Sequence, residues 1–289
     1  MFACLQPQPA PGRTWRKPGL PQLCRVEVPG GAPFFRLEAQ SRRGQLDWNA
    51  IEQAAGRMRT KMLFPQGIAP PPPPPQPSSA ARAQLEPGIR AFAPRRLPLL
   101  LCLRTAQQVL RGSKTPARSR SVTIVDQKGM LCRSLEPFVP LAGSLRVCTP
   151  DAAVYRATAA QLLSRYGVTL ILSDSPGCFA QSDVVVADEL SLFTGRERGL
   201  IFTPDRRPLP GCRVVRGEAP ALPAAHEALR PDGIDPLLFG CALYELCGVK
   251  EMERLGFGHF AFDGVSEAYS LPEITKLLDE SPAAFRASS

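Results

Sequence analysis

Four short runs of Val, Ile and Leu, at 122–125, 145–148, 168–172 and 184–187, constrain this 289-residue chain more than any other feature. Continuous apolar runs of this length suit strands buried on both faces of a parallel sheet, where neither face meets water. The spacing predicts helical stretches between the first three. The stretch after Cys148 carries the clearest helix signals. Thr149 is placed to cap it, Pro150 suits its first turn, Asp151 sits beside the positive helix end, and Gly167 follows Tyr166 as a terminator. Residues 199–203 and 212–216 add two further candidate strands.

Strand, helix, strand, helix, strand, strand is the grammar of an α/β protein. The expected fold class is a Rossmann-like, mostly parallel sheet, with a smaller N-terminal α+β region and a C-terminal helical segment. Residues 1–20 are rich in Pro, Gly and Arg and read as irregular. Residues 24–28 and 33–39 flank Pro29-Gly30-Gly31 and read as a hairpin. Asp47 is a cap for a helix at about 48–63, whose apolar stripe is Ile51, Ala54, Ala55, Met58 and Met62, ended by Phe64-Pro65-Gln66-Gly67. Pro70–Pro75, with Pro77, is a polyproline II linker of roughly 25 Å. A helix at about 98–111 opens at Pro98 and stops at Gly112. In the tail, Asp235-Pro236 opens a helix to about Cys247, closed by Gly248, and residues 249–255 follow, closed by Gly256. Ser270 and Glu273 have capping-box spacing before a helix at about 271–280. The expected partition is therefore 1–20 irregular, 21–112 basic α+β, 113–222 Rossmann-like and 223–289 a helical cap.

Charge is divided unevenly. Residues 1–120 hold 19 Lys and Arg against 5 Asp and Glu, a net +14, whereas residues 121–289 hold 16 against 21, a net −5. A basic half suits nucleic acid, an acidic surface or an acidic partner, and equally suits its own acidic half. Arg supplies 29 of the 35 basic residues and Ala and Pro are also abundant, the pattern of GC-rich coding, so nucleic-acid binding is not favoured. No secretory signal is visible, and the longest apolar run, 97–103, is interrupted by Pro98 and far shorter than the ~20 residues of a membrane span. Nine scattered cysteines without a C-x-x-C read as reduced thiols in a cytoplasmic protein of bacterial type. No metal site is expected: Cys241 and Cys247, six apart on a helix, diverge by about 240°.

The order of elements over 121–188, with Arg146-Val-Cys-Thr149-Pro-Asp leading a helix, Tyr166-Gly167-Val starting a strand and Ser182-Asp183-Val-Val-Val-Ala forming the next, resembles the cofactor domain of the shikimate dehydrogenase and glutamyl-tRNA reductase group. That resemblance implies a catalytic N-terminal region, NAD or NADP as cofactor, and a C-terminal helix packed against the rest. Two departures stand against the cofactor. The turn after the first strand is Asp126-Gln127-Lys128-Gly129, in which Gly129 alone could serve the pyrophosphate and Asp126 puts a carboxylate where an anion arrives. At the end of the second strand, where an acidic residue takes the ribose or an Arg the 2′-phosphate, stand Cys148, Thr149 and Pro150. The candidate cofactor residues are Asp126, Lys128, Gly129 and Thr149.

Other chemistries find less. Tyr155, Tyr166 and Tyr244 are followed four positions later by Ala159, Leu170 and Gly248, so none of these three opens a Tyr-x-x-x-Lys pair. A phosphoreceiver domain is echoed by Asp126 and Asp174 but broken by Gln127, and no P-loop is present. His226 and His259 are the only histidines, and His259 with Cys241 or Cys247 is a nucleophile pair on paper only, so catalytic residues stay unassigned. Arg230, Asp232 and Asp235 lie at a helix mouth and form a second candidate ligand site. The expected function is a non-catalytic or regulatory one, binding a small anionic ligand or a protein partner. The alternatives are an NAD(P)-dependent oxidoreductase and a nucleic-acid binder using the Arg-rich N-terminal region.

Overall fold

The computed structural model describes residues 1–9, 20–42, 45–56, 61–68, 90–218, 220–263, 265 and 267–280. The polyproline segment 70–77 and Met58 lie outside the described residues. The chain folds into two compact units, Met1–Leu97 with Leu222–Arg254, and Pro98–Ala221 with Leu255–Ser289.

The first unit is built on a sheet of β1 (Phe2–Pro9), β2 (Gln22–Val26), β3 (Phe34–Arg42), β4 (Gln45–Leu46), β5 (Lys61–Leu63) and β6 (Arg90–Ala91), in the order β2-β3-β1-β5-β6 with β4 on β3. The expected hairpin is present as antiparallel β2 and β3, with Gly30 at φ 70° in the turn. The segment read as irregular instead contributes β1, parallel to both β3 and β5. Its prolines hid it. Pro7 and Pro9 are tolerated because β5 pairs only with Phe2–Cys4, leaving that side of β1 unpaired beyond Cys4 among the described residues. The expected helix at 48–63 is shorter: α1 (Trp48–Gly56) starts at Asp47, whose carboxylate accepts the Ala50 N–H at 3.1 Å. Met62 lies in β5. It stays buried with Ala3, Leu5, Leu37, Ile51 and Ala55, so one core position satisfied both readings. In the same unit α5 (Pro236–Cys247) places Phe239 edge-on to the stacked rings of Phe2 and Phe34.

The second unit carries a seven-stranded sheet. Its strands are β7 (Ser121–Val125), β8 (Ser144–Cys148), β9 (Leu170–Ser173), β10 (Val184–Ala187), β11 (Leu200–Phe202), β12 (Arg213–Glu218) and β13 (His259–Phe262). The order is β13-β12-β11-β10-β7-β8-β9, parallel throughout except for β13, which runs antiparallel on β12. Counted from β7, this is the doubly wound Rossmann order 3-2-1-4-5-6 with a seventh edge strand, and its direction reverses between β7 and β10. The fold is Rossmann-like α/β. The strand β13 interrupts a tail that reads as helical.

The crossovers are less regular than expected. Between β7 and β8 runs a series of turns and a 3₁₀ segment, Glu136–Leu141, not an α-helix. Pro137 and Pro140 account for this, because each lacks the N–H that an α-helix would use, while Leu131, Leu135, Phe138 and Leu141 still fill the core. The next crossover opens with 3₁₀ residues Ala152–Tyr155 and continues as α3 (Arg156–Tyr166), which Gly167 closes at φ 66°. Its cap is Asp151, accepting the Ala153 N–H at 3.1 Å, and not Thr149. With α2 (Leu97–Gly112) and α6 (Leu271–Asp279), the latter fixed by the Ser270/Glu273 capping box, these elements supply one side of the unit.

On the other face, Val125, Cys148, Val185, Ala187, Ile201 and Val214 are buried under Phe179, Leu190 and Leu209. The crossovers 188–199 and 203–212 contain no helix. Loops leave backbone N–H groups without ladder partners, and two carboxylates take them. Glu197 accepts from Thr194, Gly195 and Arg196, and Asp205 accepts from Leu190 and Arg207.

Candidate functional site

In an open parallel sheet a ligand crevice opens beyond the strand carboxyl ends where the order reverses, here at the tips of β7 and β10. Val125 and Ala187 are register partners, so the next residues, Asp126 and Asp188, stand side by side. Asp126 is wholly buried. Its Oδ2 accepts the Leu131 N–H at 2.7 Å and the Tyr155 hydroxyl, while Oδ1 accepts the Lys128 N–H at 3.3 Å. Asp188 Oδ2 accepts the Gln127 N–H at 3.1 Å, and its Oδ1 is buried with no hydrogen-bond partner. Burial, opposed by that N–H and reinforced by Asp126, pushes the Asp188 carboxyl up to about 6. Burial and the Asp126 carboxylate likewise push the Tyr155 phenol well above its ordinary value.

The four cofactor candidates do not converge. Asp126, Lys128 and Gly129 share the β7 turn, where Gly129 adopts φ 67° and a Cβ on it would meet Val154 at 3.1 Å. Lys128 Nζ points to Glu189 Oε2 at 3.9 Å across exposed surface. Thr149 ends the neighbouring strand; it is buried and its Oγ1 accepts the Asp151 N–H at 3.3 Å.

A dinucleotide does not fit these residues. Its pyrophosphate needs free backbone N–H groups at a helix start, but the N–H groups of Lys128 and Leu131 are held by Asp126 and no α-helix follows β7. Asp126, Asp188 and Glu189 bring negative charge to the same place. At β8, Asp151 is committed to its own cap and Cys148 is buried. A small anion at Asp126, Lys128 and Gly129 meets the same carboxylates.

The second candidate group belongs to the first unit and holds a helix entrance. Asp235 Oδ1 accepts the Leu238 N–H at 2.8 Å, starting α5. Arg230 donates to Glu227 and to the Ile234 carbonyl at 2.6 Å, while Asp232 is exposed. Cys241 and Cys247 lie on α5 in the first unit, while His259 belongs to β13 in the second, 3.2 Å from Glu218. Among the described residues no cluster of three or more His, Cys, Asp or Glu side chains is poised for a metal, and no helix is long and apolar enough to cross a membrane.

Tyr155 and Asp188 are the crevice residues that sequence reasoning missed. The signal for Asp188 is its place directly after an apolar strand, the same place Asp126 holds, but adjacency of those strands is a property of topology. Tyr155 offers no comparable signal.

No protein-family model matches the sequence, and no curated protein matches it. Among solved structures, the chain is similar to quinate dehydrogenase from Corynebacterium glutamicum in complex with NAD, at 13% identity over 75% of this chain and 86% of that one, with a TM-score of 0.30. It is also similar to L-tryptophan dehydrogenase from Nostoc punctiforme, at 12% identity over 88% of this chain and 70% of that one, with a TM-score of 0.31. At these scores the fold assignment rests on strand order and register.

Proposed function

We propose that the Rossmann-like unit serves a non-catalytic, regulatory role in which NAD and NADP are not ligands. The observation that carries this reading is the engagement of Asp126 with Tyr155 and the Leu131 N–H, which fills the turn a pyrophosphate would need. Three carboxylates at the same crevice disfavour an anionic ligand there, so a protein partner is the occupant this reading favours. The competing reading, an NAD(P)-dependent oxidoreductase, is supported by strand order alone.

Thermal shift with NAD, NADH, NADP and NADPH at millimolar concentration separates the two. A ligand at ~100 times its Kd adds about 2.7 kcal/mol, which moves the midpoint of a domain of this size by several degrees. No shift is expected with any of the four. A shift of several degrees with one of them would overturn this reading and show a working dinucleotide site.

A further inference from the structure

Two of the nine cysteines meet at the carboxyl edge of the second unit's sheet. Cys148 is the last residue of β8, and Cys178 lies in the 3₁₀ turn Pro176–Phe179 that follows β9. Both approach one atom, the Ser175 carbonyl oxygen, to which the Cys178 N–H donates at 3.2 Å and the Cys148 thiol at 3.7 Å. Cys178 also lies close enough to Cys148 to perturb its ionisation. Arg146 fixes the turn by donating to the Cys178 carbonyl at 3.2 Å. Cys148 is sealed in the sheet, whereas Cys178 is half-exposed.

That asymmetry is what a two-thiol oxidation needs: an accessible sulfur that meets the oxidant, and a protected one that resolves the product. We propose that Cys178 and Cys148 form a peroxide-responsive dithiol that closes to an intramolecular disulfide. In the first step the Cys178 sulfur attacks one oxygen of hydrogen peroxide, giving Cys178 sulfenic acid and water. In the second, the Cys148 sulfur attacks the sulfenic sulfur, the S–S bond forms, and the hydroxyl leaves with the Cys148 proton as a second water. Two electrons pass from the thiols to the peroxide. Burial, Cys178 and Asp174 push the Cys148 thiol up to about 12, so Cys148 is not the sulfur that meets the oxidant.

Five of the other seven cysteines lack this arrangement. Cys4 and Cys247 also lie near one another, but both are sealed. Cys102 and Cys241 are buried, and Cys212 donates its thiol to Glu197. Closing the pair ties the β9–β10 crossover to the end of β8. Phe179, next in that crossover, packs its ring 4.6 Å from Phe193 in the following loop, so the tie reaches the helix-free face of the sheet.

The test uses the full chain, reduced and then exposed to hydrogen peroxide, alkylated and digested with trypsin without reductant. The expected cross-linked species joins peptide 147–156 to peptide 166–196, each of which contains a single cysteine. Oxidation should also raise the thermal midpoint by several degrees, reversed by dithiothreitol and abolished in Cys178→Ser with no change in its reduced midpoint. Recovery of both peptides alkylated and unlinked after oxidation, or of Cys178 as its sulfinic acid without linkage, would overturn the proposal. The peptide map is read on the unmutated chain, so it holds whatever the variant does.

Discussion

Tyr155 donates its hydroxyl to the buried carboxylate of Asp126, joining the start of the β8–β9 crossover to the turn after β7. The bond lies inside the space where a dinucleotide-binding fold keeps glycine. It converts a ligand cradle into a packed, polar plug.

Removing the hydroxyl should be costly, because a buried carboxylate left short of a donor loses more than a neutral group does. Tyr155→Phe is expected to destabilise the protein by about 1–3 kcal/mol, read as a shift in urea midpoint with unchanged slope. An unchanged midpoint would mean that the bond contributes nothing and the plug is held by packing alone.

Asp188 works in the opposite direction. Its folded carboxyl keeps a proton up to about 6, against an ordinary 3.8. Between those values the folded state binds more protons than the unfolded one, so this group's contribution falls as pH rises through the window and stays low above it. Asp188→Asn removes the repulsion with Asp126 and keeps an acceptor for the Gln127 N–H. It should raise stability near pH 7 by about 1–2 kcal/mol and converge with the unaltered chain below about pH 4. Equilibrium denaturation at both pH values checks this; a loss of stability near neutrality contradicts it.

Asp205 illustrates the reverse sign. Burial works against its charge, but hydrogen bonds from the Arg207 side chain and from the Arg207 and Leu190 N–H groups hold it at about 2. Its stabilisation is complete above the unfolded value and is lost as pH falls through the folded one. Asp205→Asn should therefore cost about 1–2 kcal/mol near pH 7 and progressively less toward about pH 2. Glu197 is also lowered, since the N–H bonds of its loop outweigh its burial, and Glu197→Gln should follow the same course. A cost that does not shrink in acid would assign these side chains a packing role only.

These carboxylates also show where sequence reading succeeds and stops. The strands from β7 to β12 were legible because each is a short apolar run bounded by polar turn residues. The α5 and α6 starts were legible because Asp235 and Ser270/Glu273 are local capping signals. By contrast, β1 was hidden by Pro7 and Pro9, which are acceptable only because β5 is too short to pair there. The loops 188–199 and 203–212 gave no sign that Glu197 and Asp205 would organise them, since those contacts depend on which backbone groups lack partners. Asp126 is legible as hostile to a dinucleotide from its position after the first strand alone. Tyr155 and Asp188, which make it so structurally, come from other segments and become neighbours only through strand order.

Opening the turn should not by itself restore a cofactor site. Asp126→Gly removes the carboxylate, yet no helix start follows β7 and Asp188 and Glu189 stay at the crevice. The variant is expected to be less stable and still show no NAD-induced thermal shift. A gain of NAD binding would mean that Asp126 was the sole obstacle.

The most direct measurement is a crystal structure of the full chain grown with millimolar NAD. The expected result is an empty β7–β10 crevice with Tyr155 still donating to Asp126. Pyrophosphate density over residues 126–129, with the Tyr155–Asp126 bond broken, would contradict it.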